Sequence, residues 1–371
     1  MSQKKIKILF TINNLNTAGM NLVLKDIALT LNRDEFDPYI NVLDYTDTET
    51  ERELKRNFTV LNIQLKPKKR PRLTYFPKIY KAAKELKQHN FDIAHSFDYA
   101  SDFGEGLVMK LAGVPWVAEK TNLAYEPKRW RKRLDYAARI VALSKAQASL
   151  FPEFADKVTI IPTGVDLELY EQTPAKSRAE MNLSEDDLVL ISVAQVVSIK
   201  AHKEIVQAYK DIEDQVPNLK ILFAGRDTEE YAQEVKQMIK DYGLEDKIRF
   251  LGMRSDIPAL LKMVDGKILA TRNINQREGF GAALVEAMSA GKPVIGTKSG
   301  GPEEIIVHNH NGWIVDAIGH EPLIAPILEF YNDAAKRKQL GENALQTVKD
   351  KFTFPTMLEG YVKVYKEVAK K

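Results

Sequence analysis

The sequence predicts an α/β protein of two doubly wound domains, each a largely parallel sheet with helices on both faces. Three observations lead there. Short continuous apolar runs, suited to strands buried on both faces, alternate along the chain with segments of helical periodicity. The 371 residues exceed the roughly 100–200 of an ordinary single domain. A polar stretch, Glu171-Gln172-Thr173-Pro174-Ala175-Lys176-Ser177, interrupts the pattern near the middle and reads as a linker. The expected organisation is a first domain over 1–175, a second over 176–352, and a terminal helix over 353–371.

In the first domain Ile6–Ile12 is a buried strand, followed by a polar loop ending at Gly19 and a helix with Met20, Val23, Leu24, Ile27, Ala28 and Leu31 at helical spacing. Gly19 suits a plain turn as well as a phosphate contact. Strands follow at Tyr39–Leu43, Val60–Ile63, Asp92–Ser96, Val114–Val117, Ile140–Ser144 and Val158–Pro162, with a helix carrying Ile79, Ala82, Ala83 and Leu86 on one face. The second domain opens on the strand Leu188–Val193. Ile221–Gly225 and Ile248–Gly252 each end in glycine where a ligand can approach the backbone, and Met253-Arg254 follows as a main-chain site for a base.

The stretch 277–295 organises the reading. Glu278-Gly279-Phe280-Gly281 has too much glycine for helix interior. Ala282–Ala290 is a run of helix formers, stopped by Gly291 and Pro293 ahead of a strand at Val294-Ile295. The helix therefore offers free N–H groups at Gly281, Ala282 and Ala283 beside a glycine loop, a place for an anionic oxygen such as phosphate. Glu278 and Glu286 frame it, and carboxylates there suit sugar or ribose hydroxyls better than phosphate. Phosphate between hydroxylated rings describes a nucleotide sugar.

Composition narrows the alternatives. Net charge is +3, too small for a nucleic-acid binder. It is uneven: residues 1–180 hold 29 Lys and Arg against 23 Asp and Glu. The absence of Cys removes disulfides and thiol chemistry. No apolar run reaches the ~18 residues of a membrane span, and the N-terminus passes into a strand without a leader-like segment, so a cytoplasmic protein is expected. Lys66–Arg72 places five cations in seven residues beside Leu73, Tyr75 and Phe76, which suits an anionic membrane surface on its inner face, or a solvated loop. A second cluster, Lys128, Arg129, Arg131, Lys132 and Arg133 around Trp130, points the same way.

The Glu-Gly-Phe-Gly loop, the helix with its second Glu, and Ala290-Gly291-Lys292-Pro293-Val294-Ile295 resemble the retaining glycosyltransferases of family 4, of GT-B fold. The resemblance extends from about residue 5 to the C-terminus and is weaker in the first half. It implies two Rossmann-like domains facing a cleft, a terminal helix crossing back to the first, a UDP-sugar or related donor on the second domain and an acceptor glycan or lipid-linked sugar on the first, with no metal and no further cofactor. It implies donor contacts at Gly19, Gln195, Lys200, Arg254, Glu278, Gly279, Phe280, Gly281, Ala282, Ala283 and Glu286. Lys200 and Glu278 are the residues closest to the chemistry. Gln195 stands where the family carries Arg, and His202 is a compensating cation to consider. His95 matches a family position, whereas Thr121 stands where the family's reactive-centre His is usual; His95, Lys120, Thr121 and Asn122 are acceptor-side candidates. A non-catalytic nucleotide-sugar-binding subunit serving a partner enzyme is the competing reading. An NAD-dependent oxidoreductase is disfavoured, since neither half has Gly-x-Gly-x-x-Gly after its first strand.

Overall fold

The computed structural model describes residues 4–15, 20–45, 47–67, 72–97, 103–120, 128–274 and 278–369. The chain forms two units. The first holds the described chain up to Pro162 and takes it up again at Met357; the second runs Thr163–Thr356.

The first unit contains strands β1 (Ile6–Ile12), β2 (Phe36–Val42), β3 (Thr59–Leu61), β4 (Ile93–Ser96), β5 (Trp116–Lys120), β6 (Arg139–Ala142) and β7 (Val158–Ile160). They form one parallel sheet in the order β3-β2-β1-β4-β5-β6-β7. Ile8, Leu9 and Phe10 are fully buried because helices cover both faces, which is why β1 reads as a continuous apolar run. The helix Tyr75–Gln88 lays Tyr75, Ile79, Ala82, Ala83 and Leu86 inward, at the expected spacing, against Met109, Trp116 and Ile140.

The C-terminal helix, Phe354–Ala369, is fixed to this sheet by a buried polar cluster. His95 Nδ1 lies 2.8 Å from the Tyr365 hydroxyl and Nε2 lies 2.9 Å from Glu119. Tyr361 donates to the other oxygen of Glu119 at 2.9 Å. His95, Tyr361 and Tyr365 are completely buried. The acceptor contact expected of His95 is corrected here: both ring nitrogens are engaged inside the fold.

A second buried cluster sits at the carboxyl ends of β1 and β4. Glu105 accepts from Thr11 at 2.7 Å, from Ser96 at 2.5 Å and from Arg133 at 3.2 Å, and Lys66 lies 3.8 Å away. Burial opposes ionisation of Glu105, but Lys66, Arg133 and the hydrogen bonds from Ser96 and Thr11 together outweigh it and hold the carboxyl below its ordinary range. Lys66 and Arg133 are therefore internal counter-charges, and neither serves a membrane surface as the sequence suggested. Lys68, Lys69 and Arg70 lie outside the described residues.

The second unit contains β8 (Leu188–Val193), β9 (Leu219–Ala224), β10 (Ile248–Gly252), β11 (Gly266–Leu269), β12 (Val294–Thr297) and β13 (Gly312–Val315). Their order is β10-β9-β8-β11-β12-β13, again parallel. One face packs Leu190, Ile221, Phe223, Ile268 and Ile295 against Ile205, Tyr209, Ile327 and Phe330. In both sheets strand order reverses beside the first strand, between β1 and β4 and between β8 and β11. At such a reversal the loops leaving neighbouring strands diverge and open a crevice at their carboxyl ends. No helix among the described residues is long and apolar enough to cross a membrane.

Candidate donor site

The reversal between β8 and β11 gathers the second unit's polar residues. The segment leaving β8 runs to Lys200, and that leaving β11 passes Thr271 to Glu278. The Lys200 ammonium pairs with Glu278 Oε2, and Thr271 donates to the same oxygen at 3.2 Å. Both charged side chains are largely covered, about one quarter exposed for Lys200 and one sixth for Glu278, with the side-chain values 23% and 16%. Two main-chain bonds pin Glu278 to the loop after β12: its N–H donates to Ser299 at 3.0 Å, and its carbonyl accepts from Gly301 at 2.9 Å. A Cβ on Gly301 would lie 2.3 Å from the Phe280 carbonyl oxygen, so only glycine lets these loops meet.

Phe280 is buried and packs on Phe352 with ring centroids 5.7 Å apart. Gly281, at φ +99°, caps the helix Ala282–Ser289 with no side-chain hydrogen bond. Positive φ lets the chain turn sharply into the helix, and a glycine at this position has no side chain with which to cap the helix head. The helix ends as its sequence indicates, with Gly291 at φ +70°. Glu286 sits in the second turn, half-buried. Burial pushes its carboxyl upward in pKa, and the charge of Lys267 opposes that shift.

Lys267, in β11, is a residue sequence reasoning missed. It is fully buried, and its ammonium has no hydrogen-bond partner among the described residues. Burial pushes its pKa down to about 7, with Glu286, Lys200 and Glu278 as its electrostatic neighbours. A lysine in a short strand gives no signal distinguishing it from one at a solvated edge.

The other predicted residues are placed as follows. Gln195 is exposed after β8. Arg254, after β10, is held by both oxygens of Asp256 at 2.8 and 2.6 Å. Lys120, in the first unit, is buried. Gly19, Thr121 and Asn122 lie outside the described residues. His202 fails as a compensating cation: it is fully buried, and burial with the nearby Lys200 charge pushes it down to about 3. Among the described residues, no group of three or more His, Cys, Asp or Glu is arranged to hold a metal ion.

Two sheets sharing one doubly wound strand order, with this acid-flanked loop and helix in the second, define the GT-B class of glycosyltransferases. The chain belongs to family 4 within it: residues 17–169 match the model for Glycosyltransferase Family 4 and residues 175–347 that for Glycosyl transferases group 1. The fold is similar to a glycosyltransferase of Rickettsia africae, with TM-score 0.86 and 21% identity over 100% of both chains. It is also similar to Anabaena HepE in complex with UDP-glucose, with TM-score 0.81 and 22% identity over 97% of this chain and 99% of that one. The N-acetyl-alpha-D-glucosaminyl L-malate synthase of Bacillus anthracis is 28% identical over 54% of this chain and 50% of its own length. The D-inositol 3-phosphate glycosyltransferase of Corynebacterium glutamicum is 28% identical over 52% and 47%. The chain thus spans about half the length of these two curated relatives.

Proposed function

We propose that the protein transfers a sugar from a nucleotide-sugar donor, UDP-linked, to a hydroxylated acceptor with retention of configuration, in the synthesis of a surface glycan. The observation that carries this reading is the Lys200–Glu278 pair set beside the glycine-capped head of the helix Ala282–Ser289. Departure of the diphosphate builds negative charge on its oxygens while the sugar becomes oxocarbenium-like, so fixed cations and N–H groups aimed at those oxygens lower the barrier. Lys200 and the amides at Gly281, Ala282 and Ala283 supply that environment. Glu278 receives hydroxyls of the transferred sugar, and Glu286 those of the ribose. UDP and UDP-glucose in the HepE complexes support the choice of donor.

For the acceptor, the reading extends to a lipid-linked sugar at an anionic membrane. Leu73, in the turn Arg72–Thr74, and Phe76 and Tyr80, in the first turns of the helix Tyr75–Gln88 that follows, are 93%, 62% and 68% exposed. Lys84 and Lys87 continue that exposed surface. Apolar side chains with cations above them suit the headgroup boundary.

The test is nucleotide release from UDP, GDP and ADP sugars, alone and with candidate acceptors. The reading expects UDP release from a UDP-sugar, accelerated by an acceptor. Donor binding without turnover under every condition would instead favour a nucleotide-sugar-binding subunit.

A further inference from the structure

We propose that Lys267 is a positioning residue of the donor site: from beneath the helix Ala282–Ser289, its ammonium is the counter-charge of the Glu286 carboxylate. The inference rests on the donor reading above and adds to it a residue outside the acid-flanked loop.

The placement follows from the sheet. In β11, Ile268 points into the core with Leu190 and Ile295, so Lys267 and Leu269 point to the opposite face. Lys267 is in register with Ile191 and Val294, and Leu269 with Gly296. A Cβ on Gly296 would meet Leu284, which identifies this as the face covered by the helix that carries Glu286. The surrounding strand positions are Ile191, Leu269 and Val294, where an apolar residue packs at no electrostatic cost. A fully buried ammonium without a hydrogen-bond partner among the described residues is costly unless another charge offsets it.

Glu286 is the strongest electrostatic partner of Lys267, followed by Lys200 from the loop after β8 and Glu278 from the loop after β11. Tyr170, on the helix Leu167–Gln172, also faces Glu286; burial and that carboxylate raise its hydroxyl. Lys267 is the charge that lowers the Glu286 pKa against burial. A carboxylate accepts from two ribose hydroxyls, whereas a protonated acid gives up part of that capacity. Without Lys267, burial acts unopposed and Glu286 protonates at a higher pH.

The experiment compares UDP with 2′,3′-dideoxy-UDP by calorimetry between pH 5.5 and 8.5, using the full chain, Lys267→Met and Glu286→Gln. The wild-type protein should prefer UDP by about ten-fold. Lys267→Met should bind the dideoxy compound as the wild type does, lose most of the preference for UDP near pH 6, and regain it toward pH 8.5. Glu286→Gln should remove the preference at every pH, which checks the ribose role of Glu286; where Lys267→Met does not fold, Lys267→Leu, of the same type as the neighbouring strand positions Ile191, Leu269 and Val294, takes its place with the same expected pH profile. A Lys267→Met protein that keeps the wild-type preference throughout overturns the proposal and leaves the donor reading standing. Preference retained by Glu286→Gln overturns the ribose role of Glu286 on which the proposal rests. If the wild-type protein binds neither compound, the donor reading itself falls.

Discussion

Lys200 and Glu278, 78 positions apart in sequence, meet as an ion pair at the strand-order reversal of the second sheet. Thr271 holds the same carboxylate oxygen. The pair keeps a cation and an acid beside the helix head before any ligand arrives, so little reorganisation is needed when charge develops there. Lys200→Met should lower sugar transfer by roughly 10²–10³-fold, the scale of losing one charge-stabilising donor, with no loss of unfolding cooperativity. Steady-state turnover with the preferred donor checks it, and an unchanged kcat removes Lys200 from the chemistry.

Ala201 follows Lys200 at φ +50°, a left-handed conformation that crowds Cβ against the backbone. Ala201→Gly should relieve that strain, partly offset by the greater freedom of glycine in the unfolded chain, for a gain of about 0.5–1 kcal/mol. Urea unfolding gives the sign directly; a loss of stability would show that the Ala201 methyl packs better than its backbone is strained.

His202 carries the clearest pH dependence. Its folded-state pKa, about 3, is below the ordinary 6.5, so the unfolded chain binds the proton more readily between those values. Stability contributed by neutral His202 is full above pH 6.5 and is lost as pH falls toward 3. Both ring nitrogens lack hydrogen-bond partners among the described residues, and the ring stands edge-on to Phe223 at 4.8 Å. His202→Phe should therefore flatten this part of the stability profile. Denaturant midpoints at pH 7 and pH 5 test it; the same slope in both proteins would refute the assignment.

The His95 cluster predicts how the C-terminal helix is held. Tyr365→Phe removes one bond to a buried ring nitrogen and should cost about 1 kcal/mol. His95→Ala should cost about 3 kcal/mol, because it opens a cavity and leaves buried polar groups unpaired. Protease nicking near Ala369 should rise in the second variant. Equal stability of both variants would contradict the account.

Replacing Leu73, Phe76 and Tyr80 together by Ser should release the protein from vesicles containing anionic phosphatidylglycerol while leaving soluble-donor binding intact. Sedimentation of wild type and variant at low and high salt checks it, and equal pelleting removes the membrane face.

Much of the fold was legible because strands buried on both faces must be apolar, which made β1, β8 and β9 plain. The edge strand β13 was not, since Gly312–Val315 is too short to establish a period. The helix after Gly281 was readable from its glycines and alanines. Charge pairing was harder, because it depends on tertiary contacts. Lys66 looked like part of a surface run until Glu105, 39 residues later, proved to share its buried cluster. His95 looked like a strand-end site residue until Tyr365 closed over it, 270 residues away. Lys267 became recognisable only once the helix bearing Glu286 covered its face of the sheet.

The most direct measurement is amide hydrogen exchange of the full chain with and without saturating UDP-glucose, read at Gly281, Ala282 and Ala283. Slowed exchange at those three amides, weakened by Lys200→Met, is the predicted result. A bound donor that leaves them unchanged and protects amides elsewhere would contradict the claim that this helix head grips the diphosphate.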